Sequence, residues 1–394
     1  MVKTYQFTDT ISSLNTSHEV LFEKKMRTST IKRSKIFDEQ SQIRFFSQIT
    51  APTLDLRVFF FNKITLIGNT DALIFNKQLY HQELNELKTY HSMKNRKIFV
   101  KFDRLLKKAI SIETTPSKIY SAPKSLYISL LKEHSINYYH FVTENIPRLL
   151  LILKILQSKN NAHFLKEYTL TLLIDAHMPL QCIEIIRTMM PCKYSILFVE
   201  KGQRITCKKL IYCSPFWQSI DNIRGELDCQ EFFIDTYALN LFYSFIRTKI
   251  TTIPTTKPYR RIYLRRHSTQ IRSITNLLEV EQFMLDNQFE IVETGTLSFL
   301  EQVRLLSETS LVIGATGAYF TNLLFMQPHT KAIIFYPNHP SINYGIFQPL
   351  ADVAKVNLIY FHVTQVATNK RLDNTIHSDF YVDLSRLTNL LKVL

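Results

Sequence analysis

Glycine is scarce in this chain: 394 residues contain only seven. Two of the seven, Gly314 and Gly317, stand three residues apart in one turn, which marks that turn for attention. The five cysteines, at positions 182, 192, 207, 213 and 229, are odd in number and form no Cys-x-x-Cys pair. That argues against a disulfide framework and a cysteine zinc site and favours reduced thiols of the kind a cytosolic protein carries. Met1–Asn15 holds no apolar signal core, and the longest apolar run, Leu149–Leu156, is interrupted by Lys154. Such a run is too short to span a bilayer, which takes about 20 residues. The expectation is a soluble cytoplasmic protein that can sit peripherally on the inner face of the cytoplasmic membrane. No Asp-x-Asp, His-Glu-x-x-His or Gly-Lys-Ser/Thr occurs, so neither a dedicated divalent-metal site nor a P-loop has support. Acids are also short, 33 against 48 Lys and Arg, for a formal charge of +15. Such an excess suits nucleic acid, an anionic membrane surface or a phosphate-bearing ligand, or is a solvated basic surface. Lys24, Lys25, Arg27, Lys32, Arg33 and Lys35 form an acid-free run that can touch anionic lipid or lie in an exposed segment.

What is present is a strand–helix alternation. Hydrophobic residues make up 45% of the chain, enough for a packed core. Strand patterns fall at Leu54–Phe61, Ile64–Ile67, Ser125–Leu131, Tyr168–Ile174 and Tyr194–Val199, while Leu73–Leu87 mixes strand and helix signals. Tyr138–Leu156 has helical spacing broken by Pro147, and Pro179–Met190 is amphipathic. Thr251–Pro258, with two prolines and four threonines, is the best linker. Beyond it the alternation restarts: strand Arg261–Leu264, helix Leu277–Asn287, strand Phe289–Val292, helix Ser298–Ser307, strand Leu311–Ile313, helix Phe320–Met326, strand Ala332–Phe335. Ser298 and Glu301 fit a capping box. Asn357–Val363 reads as a further strand and Leu384–Leu394 as a closing helix. This pattern predicts an α/β protein with parallel sheets in two domains, 1–250 and 251–380, followed by the helix of 381–394. Ligands of such sheets bind at the carboxyl ends of strands.

Three constellations can carry chemistry. Leu311-Val-Ile-Gly-Ala-Thr-Gly-Ala318 joins an apolar strand, a glycine turn and a helix start, which together form a cradle for an anion. Lys257, Arg260, Arg261, Arg265, Arg266 and Arg272 lie within 257–272 without an acid. The last three follow the strand Arg261–Leu264, where guanidinium groups can grip a pyrophosphate in bidentate fashion; a solvated charge run is the alternative. His140, Glu144 and Arg148 share one face of a helix if it is regular. They form either a general base with its orienting carboxylate or a salt-bridge ladder.

These blocks resemble glycosyltransferase family 61. Asn137-Tyr-Tyr-His140 with Glu144, Pro147 and Arg148 looks like the family's first block. Tyr263-Leu-Arg-Arg266 followed by Arg272-Ser-Ile-Thr-Asn276 looks like its second. Leu297-Ser-Phe-Leu-Glu301-Gln302-Val303 followed by Gly314–Met326 looks like its third and most specific. The likeness spans residues 125–340. Thr316 stands where the family pattern has His, Arg265 where it has Ser, and Leu277 where it has Glu.

The resemblance implies a GT-B architecture, two Rossmann-like domains with parallel sheets facing a cleft, and a C-terminal helix that returns to the N-terminal domain. It also implies a metal-independent inverting transferase that uses a nucleotide sugar as co-substrate and needs no other cofactor. On that footing Arg266, Arg272, Asn276, Glu301, Gly314, Thr316, Gly317, Ala318 and Asn322 bind the donor. The N-terminal domain binds the acceptor, and His140 or Glu144 serves as base. Charge and analogy point to a hexosyl- or pentosyltransferase acting on a bacterial lipopolysaccharide- or capsule-type glycan or glycolipid acceptor, with no nucleic acid as partner. The alternatives are a sugar-phosphate transferase of similar architecture and a non-enzymatic nucleic-acid-binding protein.

Overall fold

In the computed structural model the described residues exclude 82–98, 103–108, 217–234, 251–256, 267–270, 340–342 and 367–376. Short stretches among residues 1–54 and 115–123 are also outside them. Most of the expected linker, Cys229, and Arg27, Lys32 and Arg33 of the basic run therefore lie outside the described residues.

The chain forms two compact units. The first comprises Met1–Thr28, Pro52–Ile220 and Gln230–Leu241, and the second Ser29–Ala51, Asp221–Cys229 and Phe242–Leu394. A single cut at residue 250 does not reproduce this division, because Ser29–Ala51 contributes to the second unit. Its strand Lys35–Phe37 joins the sheet there by parallel pairing with Asn357–Val366.

A six-stranded sheet of the first unit runs Tyr194–Val199, Thr169–Asp175, Ser125–Ser129, Leu210–Cys213, Leu56–Phe61, His18–Lys24. The first four strands are mutually parallel and the last two antiparallel. Parallel neighbours need a crossover, and helices Ile146–Leu156 and Leu180–Met189 supply two of them. Numbered along the chain, the parallel strands lie 3-2-1-4. Strand order therefore reverses between Ser125–Ser129 and Leu210–Cys213, and a crevice opens at such a point beyond the carboxyl ends. The same unit has an eight-stranded sheet that includes the meander Ile64–Ile67, Leu73–Phe75, Gln78–Tyr80. Its second turn, Asn76-Lys77, puts Asn76 at φ 54°, a conformation asparagine tolerates. The described part of the region with mixed signals, 73–81, thus holds two short strands, and 82–87 lie outside the described residues.

In the second unit five parallel strands lie in the order Glu290–Val292, Arg260–Leu264, Thr309–Ala315, Lys331–Pro337, Asn357–Val366. Along the chain this is 2-1-3-4-5, with the reversal between Arg260–Leu264 and Thr309–Ala315. Helices Leu277–Asp286, Phe299–Ser307 and Gln348–Ala354 lie in the connections. The helix expected at Phe320–Met326 is present as a 3-10 helix, Ala318–Phe325. Its buried Phe320, Leu323, Leu324 and Phe325 fix it by packing, which overrides hydrogen-bond regularity. The fold class is thus mixed α/β with parallel sheet segments.

The closing helix Leu384–Lys392 packs within the second unit. Leu387 and Leu390 are fully buried in one cluster with Phe37, Phe361 and Phe380. Asp383 caps the helix by accepting from the Arg386 amide at 3.0 Å. The Arg386 guanidinium lies over Phe361, 4.8 Å from its centroid, and donates to the His362 carbonyl at 3.0 Å. Leucines recurring at helical spacing against a phenylalanine-rich sheet face account for the docking. Leu387→Ala is expected to destabilise this unit by about 2–5 kcal/mol, read as a lowered denaturant midpoint; an unchanged midpoint would contradict the packing.

Candidate active site

Two clusters of candidate side chains stand at strand carboxyl ends, one in each unit. In the first unit Asn137 starts the helix after Ser125–Ser129, its side chain accepting from the Tyr139 amide at 2.9 Å. The helix then meets Pro147, which has no amide proton to give the Thr143 carbonyl. The Ile146 amide bonds instead to the Phe141 carbonyl, five residues back, and Phe141–Asn145 is a π-helical turn. One surplus residue rotates the remainder of the helix by about 100°. His140, Glu144 and Arg148 consequently do not act from one face.

His140 and Glu144 do meet: His140 Nδ1 lies 2.6 Å from Glu144 Oε1. Glu144 is buried, and its other oxygen lies 3.0 Å from Nζ of Lys132, also buried. Arg148 has no exposed surface; it donates from Nε to the Cys213 carbonyl at 2.9 Å and stands 5.4 Å from the Tyr212 ring centroid. It therefore ties the helix to the end of Leu210–Cys213. From the meander, Asp71 Oδ1 meets His81 Nε2 at 2.9 Å, both residues buried. Burial pushes the Asp71 carboxyl up, but His81, with Lys132 and Arg148 beyond it, outweighs that and holds it below the ordinary carboxylate range.

Asp175 closes strand Thr169–Asp175. It accepts from the Lys132 amide at 3.1 Å, from the Ser135 hydroxyl and from the Asn69 amide. Burial nevertheless pushes its carboxyl up to about 6. Lys132, Asp71, His81, Ser135 and Asp175 did not figure among the sequence candidates. A signal existed for two of them: Lys132 follows an apolar strand directly, and Asp175 ends one. Asp71 and His81 sit in a meander whose contact with the helix leaves no trace in spacing.

In the second unit the basic run separates by partner. Arg260 pairs with Glu290 at 2.6 Å and Glu308 at 2.8 Å. Arg265 pairs with Glu281, its Nε 2.6 Å from Oε1, and lies 3.6 Å from Glu293. Arg266 has no carboxylate partner among the described residues; its Nη1 donates to the Thr316 carbonyl at 3.3 Å. Burial lowers its pKa, which the Tyr319 phenol partly offsets. Burial also raises the Tyr319 phenol, against the pull of Arg266 and Arg272. The Tyr319 hydroxyl donates to the Ala315 carbonyl. Arg266, Arg272 and the Gly314–Ala318 turn thus converge around Tyr319, at the reversal point of the sheet.

Arg272 adopts φ 54°, which costs a non-glycine residue about 1–2 kcal/mol. The segment 377–382 holds it there: the Arg272 amide donates to the His377 carbonyl at 3.0 Å and the Ser273 amide to Asp379 at 2.7 Å. Asn276 belongs to the same support, exchanging two hydrogen bonds with the backbone of Val382. Glu301 is exposed and completes the capping box with Ser298, whose bonds to it lower its pKa. Asn322 donates to Gln302 at 2.7 Å, and Gln302 in turn holds the Thr294 and Leu297 carbonyls. Asn322 thereby ties the segment that follows the turn to the helix Phe299–Ser307. Gly314 pairs between Leu264 and Ile334, where a Cβ would come 3.0 Å from the Leu264 carbonyl oxygen. At Gly317 it would come 2.8 Å from the Tyr319 ring. At Gly314 the close approach of the Leu264 backbone, and at Gly317 the Tyr319 ring, leave no room for a side chain, and neither glycine has a positive φ.

The family model described as Glycosyltransferase 61 matches residues 138–333, from the helix of His140 into the strand Lys331–Pro337. No curated protein matches the chain.

Asp175 generates a pH prediction. Its folded value, about 6, lies above that of the unfolded chain, so the folded state binds the proton more tightly. Its contribution to stability is full below pH ~4 and is lost as pH rises through ~6, on the order of 3 kcal/mol. Denaturant titrations at pH 4 and 7 should show that loss in the wild type and not in Asp175→Asn. Equal pH dependence in both proteins would contradict it.

Proposed function

Residues 138–333 belong to the glycosyltransferase 61 family, and from that premise we propose that the chain is an inverting, metal-independent glycosyltransferase of GT-B type. A glycosyltransferase takes a sugar from a donor to an acceptor. Here the donor is a nucleotide sugar, hexosyl or pentosyl, held by the second unit. The acceptor is a hydroxyl of a lipopolysaccharide- or capsule-type glycan or glycolipid, held by the first unit. The formal charge of +15 supports work at an anionic bacterial membrane surface. Among the described residues no helix is long and apolar enough to cross a membrane.

The observation that carries the reading is Arg266. It is a half-buried cation beside the Thr316 carbonyl, with no carboxylate partner among the described residues, at the point where strand order reverses. A buried cation of this kind is completed by an anionic ligand. As the glycosidic bond to the diphosphate breaks, negative charge grows on the leaving oxygen. Arg266 and Arg272 meet that charge, with the backbone of Gly314–Ala318 beside them. His140, its Nδ1 directed at Glu144, takes the acceptor proton on Nε2 while the acceptor oxygen bonds to the anomeric carbon. One displacement at that carbon inverts its configuration.

Arg266→Ala should weaken nucleoside diphosphate binding by about tenfold or more in calorimetry. Retained affinity would refute the diphosphate role. With a donor found by thermal-shift screening of nucleotide sugars, His140→Ala should cut turnover by about 100-fold or more in EDTA while leaving donor affinity in place. Wild-type turnover would make Glu144 the base. Phosphorus NMR of the product distinguishes sugar transfer from transfer of a sugar phosphate.

A further inference from the structure

We propose that Lys132 is the positioning residue that keeps His140 neutral, with its proton on Nδ1, and so available to accept a proton. The inference rests on the reading of His140 as base.

The geometry is a buried ladder of alternating charge. His140 Nδ1 is 2.6 Å from one oxygen of Glu144, and Lys132 Nζ is 3.0 Å from the other. The side chains of Lys132 and Glu144 are 5% and 3% exposed, and that of His140 is 11% exposed. The histidine end of the ladder is its most exposed part.

A carboxylate buried against an imidazole and nothing else favours imidazolium, because a buried anion draws a cation. A protonated imidazole cannot act as base. Lys132 answers that charge from the opposite side. With the ammonium in place, Glu144 already has its counter-ion, and a second cation on His140 would face Lys132 across one carboxylate. The neutral imidazole then donates Nδ1–H to Glu144 and leaves the proton-accepting lone pair on Nε2.

Other charged groups face this pair from each neighbouring element. From the meander come Asp71 and His81, Asp71 acting electrostatically with both Lys132 and Arg148. His134, from the loop that carries Lys132, sets its ring 5.5 Å from that of His140. Asp175 holds the Lys132 amide from the adjacent strand end, and so fixes the start of the lysine side chain. Among these Lys132 is the cation in contact with Glu144 on the side opposite His140.

The test is NMR of the His140 imidazole, assigned by comparison with His140→Gln. In the wild type at pH 7 the ring should read as the neutral Nδ1–H tautomer; an imidazolium there overturns the proposal without any variant. In Lys132→Met the titration midpoint should move up by about one pH unit, and in Lys132→Arg it should stay within a few tenths. An unmoved midpoint in folded Lys132→Met also overturns it. The acid limb of kcat/KM for sugar transfer should follow the midpoint. If the midpoint moves and the limb does not, the control of the imidazole by Lys132 stands, and His140 as base is the part that fails.

Discussion

Parallel strands can be joined only by crossovers, and this constraint places the functional groups of both units. When successive crossovers run to one side of a starting strand and a later strand is added on its other side, the loops at that seam diverge. The first unit has such a seam between Ser125–Ser129 and Leu210–Cys213, and the second between Arg260–Leu264 and Thr309–Ala315. Lys132 and the helix of His140 leave the first seam, and Arg148 fastens that helix to its far strand through the Cys213 carbonyl. Arg266 leaves the second and reaches across it to Thr316. Side chains distant in sequence become neighbours because the backbone has nowhere else to diverge.

The two seams treat charge in opposite ways. In the first, positive and negative groups are interleaved: His81 with Asp71, and Lys132 with Glu144, which also holds His140. A matched set of this kind sets protonation states and orientation. In the second, acids neutralise Arg260 and Arg265 and pass over Arg266 among the described residues. Among the described residues Glu281 and Glu293 take Arg265, Glu290 and Glu308 take Arg260, and Arg266 bonds to a carbonyl with no carboxylate partner. The uncharged Thr316 and Tyr319 around it leave its positive charge available to an incoming anion. On the proposed reading, charge balance in one unit serves proton transfer and the unpaired arginine of the other serves binding of a diphosphate.

Much of this was legible in the sequence where periodicity is strong. The alternation from Arg260 to Phe335 and the capping box at Ser298 lie as the residue pattern places them. The pairing of His140 with Glu144 was written in their spacing. What the sequence concealed was long-range. Ser29–Ala51 lies far along the chain from the sheet edge it extends, and no local pattern announces that pairing. Asn276 and Glu301 stand in blocks that resemble the family's, and their contacts with Val382 and Ser298 are details of packing that the blocks do not announce. Asp71 and His81 could not be foreseen, because burial beside Lys132 and Arg148 is a property of tertiary packing alone.

The π-helical turn has a consequence for how this protein tolerates change in length. The helix holds one residue more than regular winding accommodates, and that surplus lets His140 and Arg148 address different partners. Removing any one residue from Phe141–Asn145 would let the ladder close in ordinary register and swing the two ends by about a third of a turn. Among homologous chains, this segment should therefore admit exchanges of side chain far more readily than insertions or deletions.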